Sequence, residues 1–70
     1  MMPLVLAESG KENIIKKVGG SNSVKQHLMD LGFVPGGSVM LVSMMGGNAI
    51  VKVKDSRFAI STEMARKIMV

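Results

Sequence analysis

Apolar positions along this chain fall into several short runs separated by Gly and Pro, a spacing that predicts a small barrel or sandwich. Ile14, Ile15 and Val18 mark a first strand within residues 12–18. The period then changes. Val24, Leu28 and Leu31 lie four and three residues apart, so they share one face of a helix. Ser23 with Gln26 three residues later matches a capping box, and the helix is expected from Ser23 to Leu31. At 100° per residue Met29 falls on the opposite side, with Lys25 and Asp30 as neighbours.

The run from Leu28 to Gly36 is the densest in local signals. Gly32 follows the last apolar helix position, where a left-handed residue closes a helix without a Cβ clash. Phe33 then occupies the position that packs back on Leu28. Pro35-Gly36 fits the centre of a type II turn, because Pro fixes φ near −65° and Gly accepts positive φ.

Beyond that turn, two strands are expected over residues 38–44 and 49–54, followed by a third from Arg57. Val51 and Val53 alternate with Lys52 and Lys54, which turns the valines inward. With Asp55-Ser56 as a two-residue turn, Lys54 pairs with Arg57, Val53 with Phe58, Lys52 with Ala59 and Val51 with Ile60. Val39 and Leu41 are expected to share the inner face, which requires an odd loop at Met45-Gly46-Gly47. A two-residue Gly46-Gly47 loop would turn Met40 and Val42 inward instead. Ser61 or Thr62 caps one helical turn through Ala65, and Ile68 and Val70 form a last short strand.

The sequence Leu28-Met29-Asp30-Leu31-Gly32-Phe33-Val34-Pro35-Gly36 resembles the FeoA family, the small proteins of bacterial ferrous iron uptake. The resemblance extends over nearly the whole chain. It includes the opening Pro3-Leu4-Val5-Leu6, the Gly19-Gly20 corner, Arg57-Phe58-Ala59-Ile60, Glu63-Met64-Ala65 and Ile68-Met69-Val70. The chain departs from the family at Asp55-Ser56, where a Gly is more usual. The resemblance and the element order together imply an all-β fold, a small SH3-like barrel. It would have about five strands, with one short helix between the first and second.

Seventy residues are expected to form one domain, residues 1–70, with a modest core drawn from the 47% hydrophobic content. Without cysteine there is no disulfide and no thiolate metal site. Every apolar run falls well short of the roughly 20 residues of a membrane span. No charged segment precedes a signal-like stretch either, so the expectation is a cytoplasmic protein. The net charge of +4 favours acidic partners and is compatible with weak attraction to nucleic acid or anionic membranes. Eight methionines supply side chains suited both to irregular gaps and to adaptable binding surfaces.

Catalysis is not expected. His27 stands within a helical turn of Asp30 and Ser23, but a nucleophile, base and orienting group must converge in a cleft. A ferrous site prefers two imidazoles and a carboxylate, a set that one His and five scattered acids do not make. Met40, Met44 and Met45 offer only thioethers, and the simpler reading places Met40 or Met44 in the barrel and Met45 in a loop. Neither a metal site nor a cofactor is expected. The Gly36-Gly37 and Gly46-Gly47 pairs are turns, since neither opens a helix with the lysine of a phosphate loop. The spread of basic residues has only Phe33 and Phe58 as aromatics, too few to predict nucleic-acid binding.

The resemblance therefore implies a non-enzymatic interaction module whose partner is FeoB, the membrane permease with a cytosolic GTPase domain. The family association with transition-metal handling is implied the same way. Two alternatives stand beside it. One is a regulatory barrel like the C-terminal module of metal-dependent transcriptional repressors, although no helix-turn-helix segment precedes the barrel here. The other is a small nucleic-acid-binding barrel. The expected partner surface comprises Lys25, Met29, Val34, Pro35 and Gly36. It joins an outward Met to a stiff apolar turn, with a charged rim.

Overall fold

The computed structural model describes residues 1–70. After a 3₁₀ turn at Leu4–Leu6, the elements run β1 (Glu12–Ile14), β2 (Lys17–Val18), α1 (Asn22–Asp30), β3 (Ser38–Met45) and β4 (Asn48–Val53). β5 (Ser56–Ser61), α2 (Thr62–Ala65) and β6 (Ile68–Met69) complete the chain. One antiparallel sheet has the order β1-β3-β4-β5, and β2 pairs with β6 in a second. Their inner faces and α1 enclose fifteen buried apolar residues, with Leu4, Leu28, Phe33, Ala49, Val51 and Ile68 among the most enclosed.

The expected first strand is two strands. Between them the chain turns a corner at Ile15 and Lys16 and passes from one sheet to the other. Ile15 N–H donates to Gly37 O at 2.8 Å, while Lys16 N–H donates to Met69 O at 2.7 Å. Such a switch closes a barrel without a free edge at that point. It buries Ile15 and leaves Ile14 facing solvent. Six strands thus replace the expected five. The chain ends join the second sheet as well, through paired hydrogen bonds between Met2 and Val70, both 2.8 Å.

α1 begins earlier than the capping-box pattern implied. Ser21, not Ser23, is the N-cap, and its Oγ accepts from Val24 N–H at 3.4 Å. Gln26 is free to reach forward instead, where its Nε2 donates to Asp30 Oδ1 at 2.8 Å. The helix ends as the sequence foretold. Gly32 has φ 109°, its N–H donates to Met29 O, and Phe33 N–H donates to Leu28 O, both at 3.0 Å. That pair of bonds satisfies orphan carbonyls and swings Phe33 into the core. Leu31, expected inward, is 37% exposed, because Phe33 fills the space beneath the helix end.

Both hairpins correct the expected register. The β4–β5 turn is Lys54-Asp55, so Val53 pairs with Ser56, Lys52 with Arg57, Val51 with Phe58 and Ala49 with Ile60. Relative to the Asp55-Ser56 turn, every partner has moved by two residues. A shift of two preserves which face each side chain occupies, so alternation alone could not exclude it. Phe58 is half-buried and meets Phe33 edge-on, with centroids 5.6 Å apart and planes at 83°.

The β3–β4 turn is the two-residue Gly46-Gly47, both at positive φ, not the odd loop. Val39 and Leu41 are nevertheless buried, because Val42 forms a β-bulge between Leu41 and Ser43. The extra residue restores the phase that the even turn would have inverted. After β5, Ser61 caps α2, accepting from Met64 N–H at 3.1 Å.

Candidate functional site

The predicted surface residues lie on α1, at Lys25 and Met29, and on the turn that follows it, at Val34, Pro35 and Gly36. Lys25 and Met29 are four residues apart on one helix face. Met29 is 38% exposed and Lys25 half-buried. Leu31, which the periodicity assigned to the core, adds a second exposed apolar side chain at the same end. Its place directly before the Gly32 cap was the available signal, since the chain there is already leaving the helix.

The Val34-Pro35-Gly36-Gly37 turn is strongly tied down. Gly37 N–H closes it onto Val34 O at 2.9 Å, and Gly36 has φ 89°, as a type II turn requires. Gly36 N–H donates to Ile15 O and Ile15 N–H to Gly37 O, both 2.8 Å, so the corner of the barrel clamps the turn from outside. A Cβ on Gly37 would lie 3.1 Å from Val34 O, which explains the second glycine. Val34 is half-buried, while Pro35 and Gly36 are exposed.

The other candidates are not assembled into a reactive group. Asp30 accepts from Gln26, and Ser23 Oγ lies 3.4 Å from Ser21 Oγ, so both potential partners of His27 are engaged elsewhere. No three His, Asp or Glu side chains stand close enough to share a metal ion. Met40 is on the outer face of the sheet, where it lines a cavity of about 300 Å³ with Glu12, Ser38, Lys52 and Lys54. Met44 and Met45 are exposed at the β3–β4 turn, so none of these three methionines belongs to the core. A second cavity, of about 280 Å³, is lined by Lys17, Arg66 and Lys67 beside Gly19 and Gly20. Sequence reasoning counted these cations but did not bring them together. No helix is long and apolar enough to cross a membrane.

The description that matches this chain is the FeoA domain, over residues 2–70. The chain belongs to the FeoA family. FeoA is a family of small accessory transport proteins and is not an enzyme family. A Methanocaldococcus jannaschii protein with the provisional name Fe(2+) transport protein A is 34% identical over 70 residues. That match spans all of this chain and 85% of the relative.

Among solved structures, a crystal structure of an iron uptake regulatory protein, FeoA, superposes with a TM-score of 0.85 at 28% identity. It covers 96% of this chain and 89% of the other. The solution structure of FeoA from Chlorobium tepidum gives a TM-score of 0.86 at 23% identity, over 97% of this chain and 67% of that one. FeoA from Stenotrophomonas maltophilia, complexed with zinc and described as an SH3 domain protein, gives 0.81 at 23% identity. Here the coverage is 99% and 87%. The fold of this FeoA-family chain is therefore the expected SH3-like barrel, with its two sheets and single long helix.

Proposed function

We propose that this FeoA-family chain is a non-enzymatic accessory of ferrous iron uptake that works in the cytoplasm by docking on the FeoB permease. The carrying observation is the family match over residues 2–70. The Stenotrophomonas maltophilia relative is described as a candidate ferrous iron transport activating factor, which favours the same role. The docking surface is the end of α1, with Lys25, Met29 and the exposed Leu31, continued by Val34, Pro35 and Gly36. Two features favour it. Met29 and Leu31 expose apolar area that the core does not use. The turn beside them is held by several backbone hydrogen bonds and loses little entropy on binding. Lys25 supplies a basic rim for an acidic partner face.

A nucleic-acid role gains no support from the aromatics, since Phe33 is fully buried and Phe58 packs edge-on against it. Met29→Glu tests the surface. Because Met29 is already partly exposed, the variant should keep its thermal midpoint and fail to capture the FeoB cytosolic domain in a pull-down. Loss of stability with capture intact would assign Met29 to packing.

A further inference from the structure

The cavity between β2, α2 and the start of α1 has no part in that reading. β2 and β6 form one wall, with Lys17 opposite Met69 in the register and Gly19 N–H donating to Lys67 O at 2.7 Å. Arg66 is the C-cap of α2, and Lys67 N–H donates to Met64 O at 3.0 Å, so both cations stand on a fixed corner. Lys67 is placed still more firmly. A Cβ at Gly20 would come within 2.8 Å of Lys67 Cδ, so the lysine stem lies across this glycine, whose φ is 98°. Any larger residue there would push the stem away.

Three cations share this cleft, and none of the five acidic residues of the chain lines it. Like charges gathered without a counter-charge work against folding, so their placement asks for an anion from outside. α1 starts beside the cleft, since its N-cap Ser21 directly follows the lining Gly20. A cleft of about 280 Å³ holds one or two side chains, not a nucleotide tract, and Met69 on its wall suits the methylene stem of a Glu. No exposed ring is available nearby on which bases could stack.

We propose that this cleft is a second docking site, which receives an acidic segment of a protein partner, its carboxylates meeting Lys17, Arg66 and Lys67. The site stands apart from the α1 surface and does not depend on it. The test is a fluorescence anisotropy titration at low salt with labelled hexaglutamate peptide, with hexaglutamine, inorganic phosphate and a six-residue oligouridylate as comparisons. Two double variants change the charge equally. Lys17→Glu with Arg66→Glu acts in the cleft, and Lys52→Glu with Lys54→Glu acts outside it. The cleft pair should weaken hexaglutamate binding by about tenfold or more, and the outer pair by no more than about twofold. Amide resonances of Gly19, Gly20 and Lys67 should shift on titration. Should the cleft pair unfold by circular dichroism, Arg66→Gln alone should still weaken binding by about threefold. Equal losses from both pairs would reduce the effect to net charge and overturn the proposal. So would no binding by the native chain, tighter binding of the oligouridylate, or displacement of the peptide by equimolar phosphate.

Discussion

Lys54 holds a φ of 56°, where a Cβ crowds the neighbouring carbonyl at a cost of roughly 1–2 kcal/mol. It is the sole non-glycine residue of the chain at positive φ, and it sits first in the β4–β5 turn. Glycine there would relieve the strain but give up about 0.5–1 kcal/mol of chain entropy. Lys54→Gly should therefore stabilise the protein by about 0.5 kcal/mol, seen as a higher urea midpoint at unchanged slope. A lower midpoint would contradict it. The same contrast explains which residues were legible. Gly32 and Gly36 announce positive φ by lacking a side chain, so the helix stop and the type II turn could be read directly. Lys54 carries no such mark, so alternation alone points one residue too late, to Asp55-Ser56. Leu31 misled for a different reason. Periodicity counts it among the inward positions, but the helix runs out beneath it and Phe33 takes the buried place.

Among the elements, face and register proved separable. Inner and outer faces of β4 and β5 follow from alternation, yet pairings that differ by two residues satisfy it equally. Only the turn geometry distinguishes them. In β3 the opposite happened, since the inner residues Val39 and Leu41 were identified while the turn was not. The missing piece was the bulge at Val42, which no composition signal marks. Removing that residue leaves Leu41 opposite Val51 and Ser43 opposite Ile50, the pairings that already exist. Deletion of Val42 should therefore preserve the fold and cost less than about 2 kcal/mol, the loss of one half-buried side chain and some local twist. A well-dispersed amide spectrum with cooperative unfolding would show this. A collapsed spectrum would mean that the bulge itself closes the barrel. The sheet switch at Ile15 and Lys16 uses ordinary residues, so residues 12–18 resemble a single strand and only long-range partners reveal the break.

At the scale of the molecule, the family was legible because its motif is built from backbone demands. In this chain the Gly32 cap, the inward Phe33 and the Pro35-Gly36 turn follow one another where α1 feeds the barrel. The surface could be read only in part, since Met29 was placed outward by geometry whereas the cleft cations come from residues almost fifty positions apart. The chain carries one histidine, and the fold brings no three His, Asp or Glu side chains together. Anaerobic calorimetry of the isolated chain with Zn(II) or Fe(II) should register only weak, non-stoichiometric heat. Stoichiometric binding at micromolar affinity that disappears in His27→Ala would contradict this. Docking of the stiff apolar turn and the adjoining helix end on the permease remains our proposal. It is tested most directly by titrating the isotope-labelled chain with the cytosolic domain of FeoB and following its amide resonances. Shifts concentrated at Lys25, Met29, Leu31, Val34 and Gly36 are the predicted result. No shift at saturating partner, or shifts confined to the Met44 to Asn48 turn, would contradict it.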